Sequence, residues 1–409
     1  MNRCLKFPHY DNVEKKHENS YYHLIKNSSE KFKSEIHDIY FGKFFRYEFE
    51  QKNKFYGNAM GVESSNEQIE NLFKIQNEFN IPISLTMNSL ETPHELLDNS
   101  SVINQFLEFI GEFYNKGLRN CIIASNHLMK SGLLHKNFPD MRWESTVNQK
   151  CPDAQSVLDL LFNGYDTIML DRRLNRDIKE LKRVKKAVDY YNEKYKPLKK
   201  AKTCLLVYES CVYNCPFKKE HDSVGEHISA NYFKGLSKLT CDNWRKSEFG
   251  KLPRNGIDIV ASTKDAWNEF FKYTDIFKFS GRFTKFNFEP EDAKNMSACY
   301  LYFEHKNFHK LDFHQTLSID TIHAKSYSEI VENNLTPVHA WKHGWIDNRF
   351  VTKDFHSYRH IMESTPNIWK TKNGKRLEKI LKNCKSQCWD CHECEKTFET
   401  ELFDSALQI

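Results

Sequence analysis

The run CKSQCWDCHEC places Cys384, Cys388, Cys391 and Cys394 within eleven positions, and four thiols that dense are metal chemistry. Zinc and an iron-sulfur cluster both accept four thiolates, so this tail is expected to hold zinc or a second cluster. Cys384, Cys388 and Cys391 also spell the CxxxCxxC of radical S-adenosylmethionine enzymes. That motif follows the first strand of a barrel, whereas here it stands at the far end of the sequence, so the match is set aside. A second group, Cys204, Cys211, Cys215 and Cys241, occupies the middle of the chain. Pro216 follows Cys215 directly and keeps that loop turning. Cys211, Cys215 and Cys241 are the first three expected ligands of a [4Fe-4S] cluster, with Cys204 or Cys151 as the fourth. His221 and His227 would instead suit a mixed Cys/His zinc site in the same loop.

Such ligands need a scaffold, and 409 residues suffice for one large α/β barrel with an appended segment, or for two ordinary domains. The hydrophobic fraction of 39% supports a substantial core, which argues against disorder. A net charge of +5, spread over 60 basic and 55 acidic residues, permits an anionic partner without requiring one. No apolar leader follows Met1 and no long apolar run occurs. Twelve cysteines without a secretion signal then suggest reduced, metal-binding thiols in a cytoplasmic protein that does not engage a membrane.

Hydrophobic periodicity predicts strands at 35–41, 81–88, 120–126, 142–148, 166–173, 202–210, 256–262 and 275–282. Helical spacing falls between most of them, at 66–79, 101–117, 153–164, 177–195 and 263–274. Eight strands alternating with helices is the arithmetic of a (β/α)8 TIM-like barrel, although an open doubly wound sheet gives a similar pattern. The expected organisation is a polar N-terminal extension over 1–34 and a barrel over 35–285 with a cysteine-bearing insertion at 211–255. An aromatic and basic region over 286–409 ends in the four-cysteine extension.

Barrel active sites form at the carboxyl ends of the strands. The polar residues expected there are Asn88, Asn126, Asn148, Asp171, Arg172, Glu209, Lys278 and Arg282. Lys278 and Arg282, around Gly281, are suited to binding a phosphate or carboxylate, with Asn88 beside them. Glu209, Asp171 and His221 are the candidate proton carriers.

The segment ESCVYNCPFKKEH, the isolated Cys241, the strand GIDIVAS and above all DIFKFSGR resemble the U32 peptidase-like family over about residues 35–285, with MNS and LDRRLNRD adding to the likeness. That family's barrels carry a Lys-x-x-Gly-Arg signature and cluster-binding cysteines. The resemblance implies a [4Fe-4S] centre and oxygen-independent hydroxylation of an RNA base or of a small aromatic or anionic molecule such as a quinone precursor, fed by an electron donor protein. The peptidase signature with its His-Gly-Ala is absent, which weakens a U32-type peptidase as the reading. A zinc-stabilised module that binds RNA through its tail is the remaining alternative.

Overall fold

The computed structural model describes residues 3–8, 22, 25, 26, 30–59, 63–207, 269–279, 376, 379, 380, 383 and 393. Its centre is a closed ring of eight parallel strands. They are β1 (Leu5–Pro8), β2 (Ile36–Gly42), β5 (Ile83–Met87), β6 (Asn120–Ile123), β7 (Arg142–Glu144), β8 (Thr167–Met169), β9 (Lys202–Val207) and β10 (Ile276–Phe279). Each pairs with the next in chain order, and β10 closes on β1 through Leu5 opposite Phe277 and Lys6 opposite Lys278. The fold is therefore an α/β barrel of the TIM type.

Two expectations need correcting. The N-terminal segment is no mere extension: β1 lies inside it and completes the ring, and helix α1 (Glu30–Glu35) leads into β2. The predicted strand at 256–262 falls outside the described residues. Because β9 pairs directly with β10, the ring leaves no place between them for that strand. The strand count was right with one member misassigned, since a four-residue strand such as LKFP is too short for periodicity to register.

The helices on the outside follow their sequence signals. In α2 (Asn66–Phe79), Ser65 and Gln68 form a reciprocal capping box, and Asn80 ends the helix in the left-handed region at φ 52°. In α4 (Ser100–Asn115), capped by Asn99, Val102, Phe106, Ile110 and Phe113 face the barrel. Burying each is worth roughly 1.5–3 kcal/mol. Helices α7 (Ala154–Phe162) and α8 (Ile178–Tyr195) begin at Asp153 and Asp177, whose carboxylates accept from the backbone N–H groups three residues on, at Ser156 and Glu180.

The strands' outward residues, among them Ile39, Leu85, Cys121, Trp143, Ile168, Leu205 and Phe277, join these helices in one apolar layer. A separate, smaller cluster of Val147, Met169, Cys204, Leu206 and Ile276 fills part of the ring's interior.

One insertion was not foreseen. The hairpin β3 (Phe45–Phe49) and β4 (Lys52–Tyr56) follows β2 directly and so sits at the carboxyl-end rim. Its turn residues Glu50 and Gln51 both have positive φ, as a two-residue hairpin turn demands, but neither is the glycine or asparagine that usually advertises one. Phe45 locks the hairpin onto α4 through Phe106 at 5.3 Å and Phe109 at 5.6 Å. Lys54 and Tyr47 both bind the buried carboxylate of Glu95, at 2.6 and 2.9 Å.

Candidate functional site

Inward-facing side chains of such a barrel stack in layers contributed by alternate strands, usually branched aliphatics. Here one layer is Lys6 of β1, Ser84 of β5, Glu144 of β7 and Cys204 of β9. Lys6 Nζ lies 3.5 Å from Ser84 Oγ and 2.7 Å from Glu144 Oε2. Asp38 of β2, just below this level, receives Lys6 at 2.5 Å and also accepts from Ser84 Oγ. Tyr40 stands two residues beyond Asp38 on β2, towards the mouth, and Lys278, the β10 partner of Lys6, has its Nζ 4.1 Å from the Tyr40 ring centre.

A β-bulge adds a fifth polar group. Leu5 pairs with Ile36 but Lys6 with Asp38, so β2 carries one extra residue, His37. A bulge re-aims side chains, and His37 Nδ1 comes within 2.9 Å of Asp38 Oδ1. Ser84, His37 and Asp38 thus share one carboxylate, yet Ser84 hydrogen-bonds Asp38 and not the imidazole. This is not the nucleophile-to-base contact of a serine hydrolase.

The layer is dry. Lys6, Asp38 and Glu144 are exposed by 1%, 0% and 2%. Burial works against the Lys6 charge, but the Asp38 and Glu144 carboxylates outweigh it and hold the ammonium above the usual lysine range. Burial likewise opposes the Asp38 charge, and Lys6 with His37 reverses that, leaving this carboxyl well below the ordinary range. Burial pushes the Cys204 thiol above its ordinary range despite the nearby cations Lys6 and Lys278. Glu144 Oε1 and Thr86 Oγ1 are buried without a hydrogen-bond partner.

His37, Asp38 and Glu144 bring ligand atoms within 4.8 Å of one another, the spacing of a metal triad. The Lys6 ammonium already bridges both carboxylates there, at 2.5 and 2.7 Å, and supplies the positive charge that a metal would bring.

The predicted site residues divide as follows. Lys278 faces the interior near the mouth, 9% exposed. Cys204 joins the Lys6 layer. Cys151 is fully buried in the outer apolar layer, with its thiol raised by burial. Asp171 caps the turn Arg172–Arg176, accepting from Arg173 N at 3.0 Å. Asn126 accepts from Tyr165 Oη at 3.1 Å and Gln149 Nε2 at 2.8 Å, and Asn148 is buried in the short turn Val147–Gln149. Glu209, Cys211, Cys215, His221, Cys241, Arg282, Cys384, Cys388, Cys391 and Cys394 lie outside the described residues.

Asn88 has a definite structural task, because its Oδ1 accepts from the buried Ala59 N at 3.0 Å and ties the segment after β4 to β5. Asn88→Ala should therefore lower stability by about 1–3 kcal/mol in chemical denaturation, the cost of orphaning that donor. An unchanged denaturation midpoint would show that Ala59 finds another acceptor.

Sequence reading missed Lys6, His37, Asp38, Ser84 and Glu144. The available signal was a charge inside an otherwise apolar strand, as in LKFP, IHDIYFG and RWE.

Fold and site together define a parallel α/β barrel with an ionised interior. Comparison with solved structures finds a U32 peptidase, Mk0906, at a TM-score of 0.43 and 12% sequence identity, covering 69% of this chain and 93% of that one. At that score and identity the likeness assigns no residue a role. No family model matches the sequence, and no curated protein does. Among the described residues, no helix is long and apolar enough to cross a membrane.

Proposed function

We propose that this chain is an iron-sulfur-dependent oxidoreductase or hydroxylase of U32-like type, acting on an RNA base or a small aromatic or anionic substrate at the carboxyl end of its barrel. The observation that carries an active-site reading is the Lys6, Asp38 and Glu144 layer. Apolar filling of similar volume would be as stable or more so, and perturbed titratable groups concentrate where barrels do chemistry.

Lys278 belongs to the Lys-x-x-Gly-Arg sequence that ends with Arg282, and it is the β10 partner of Lys6. Lys6 offsets one of the two carboxylates Asp38 and Glu144, and Lys278 brings a second cation to the mouth, where a substrate carboxylate or phosphate would meet it. The Tyr40 ring beneath it offers a flat wall. The cluster reading rests on the resemblance: Cys211, Cys215 and Cys241, with Cys204 or Cys151, would hold a [4Fe-4S] cluster. Its chemistry would be one-electron transfer from a donor protein. The tail cysteines Cys384, Cys388, Cys391 and Cys394 would hold a second cluster or zinc.

The test is anaerobic purification with iron, sulfide and zinc quantified on wild type, Cys211→Ala and Cys391→Ala. Brown protein that loses part of its iron in each variant is the expected result and means two centres; equal, complete loss in both means one shared centre. Colourless wild type with stoichiometric zinc would overturn the redox reading in favour of a zinc-stabilised RNA-binding module.

A further inference from the structure

The outer face of α8 carries a pattern that the barrel does not use. Lys179, Lys182, Arg183, Lys186, Tyr190 and Lys194 recur at helical spacing, and all six are exposed, whereas Leu181, Val184 and Val188 on the other side are buried. The stripe is about 22 Å long at 1.5 Å per residue. One carboxylate, Glu193, stands among these cations. Glu180 and Asp189 lie on the flanks and bind Arg183 and Lys185. Among the described residues, Lys179, Lys182 and Lys186 have no ion pair, and Lys182 lies over the Tyr273 ring at 5.3 Å, near enough for its charge to act on Glu269.

The carboxyl end of the stripe is aromatic. Phe162, Tyr190 and Tyr195 are 57%, 48% and 46% exposed, and Leu198 is fully exposed. Tyr195 meets Phe162 at 5.3 Å and Tyr190 at 6.5 Å, and Lys194 lies over both tyrosine rings at 5.1 and 5.5 Å. Phe162 and Tyr195 touch Tyr191, which packs against the core, at 5.7 and 5.2 Å, so these rings border the core while about half of each stays in water.

We infer that this face docks a single-stranded polynucleotide, with phosphates along Lys179, Lys182, Lys186 and Lys194 and bases stacked on Tyr190 and Tyr195. Linear charge at phosphate-like spacing with flat rings alongside is how proteins grip such strands without reading sequence. A membrane is a poorer fit, because Leu181, Val184 and Val188 are turned into the barrel and only Phe162 and Leu198, both off the helix, remain as exposed apolar groups to insert. An acidic protein segment would use the cations and leave the rings without planar partners.

The full-length protein is titrated into labelled mixed-sequence single-stranded RNA and DNA, with heparin and phosphatidylserine vesicles as alternative polyanions. Binding should weaken with salt, with a log–log slope of about −3, since each neutralised phosphate contributes about 0.7 on a single strand. Lys182→Glu with Lys186→Glu should weaken it at least about tenfold, and Lys130→Glu with Lys136→Glu, exposed cations elsewhere, less than about twofold. Tyr190→Ala with Tyr195→Ala should weaken oligonucleotide binding about tenfold and leave heparin binding unchanged. The inference falls if the α8 charge reversals bind like wild type, if the tyrosine variant binds like wild type, or if vesicles bind as tightly as the oligonucleotide. Iron content is measured on the same samples, so loss of docking with full iron separates this surface from the cluster reading.

Discussion

Lys6→Met is expected to destabilise the fold by about 3–5 kcal/mol, the cost of leaving partnered carboxylates buried without their cation. Methionine keeps the length of the side chain, so the loss is one of charge more than of packing. Asp38 at 0% and Glu144 at 2% exposure cannot turn to water to compensate. A comparison fixes the interpretation: Lys33 also makes an ion pair, at 2.8 Å with Glu30, but the Glu30 side chain is 89% exposed. Lys33→Met should accordingly cost no more than about 1 kcal/mol. Combining Lys6→Met with Asp38→Asn and Glu144→Gln removes the orphaned charges and should recover much of the loss. Urea denaturation of wild type and these three variants is the measurement. A Lys6→Met protein as stable as wild type would mean that the ammonium is not the layer's counter-ion.

The same layer should set the pH range of stability. Asp38 is held below its ordinary range in the fold, so its contribution is complete above an unfolded carboxyl's pKa of about 3.9 and disappears as pH falls through the folded value. Lys6 is held above its range, so its contribution is complete below about 10.4 and disappears as pH rises through the folded value. Wild type should therefore show a flat stability plateau between those limits as far as these two groups are concerned. Lys6→Met should change the sign. Without the cation, desolvation dominates at Asp38 and favours its neutral form, so stability should rise as pH is lowered from about 8 towards about 5. Denaturation midpoints that stay flat with pH in the variant would remove Asp38 from this role.

Both expectations concern residues that periodicity analysis passed over. A parallel barrel buries its strands on both sides, so their sequences read as nearly continuous apolar runs, and helices between them give the α/β class. That much was legible; the caps at Ser65, Asn99, Asp153 and Asp177 went unread, although each is a local hydrogen bond between residues three apart. Strand β1 was not, being four residues long in a polar segment, and neither was the hairpin turn at Glu50 and Gln51, whose backbone the rim's packing imposes on residues with no preference for it. Asn88, Asn126 and Asp171 were found by their position after strands, and the structure gives each a backbone or side-chain partner that holds the rim together.

By itself the sequence determined the class of fold, the principal helices, and the presence of Lys278 near the mouth, all of which follow from short-range patterns. Only the tertiary structure decided that Lys6, Asp38 and Glu144 are one site. Lys6 lies 32 positions from Asp38 and 138 from Glu144. Period-two alternation shows that residues share a strand face, but not which face turns inward or which strand stands across the axis. Ring closure between β1 and β10, and the bulge at His37, fix both.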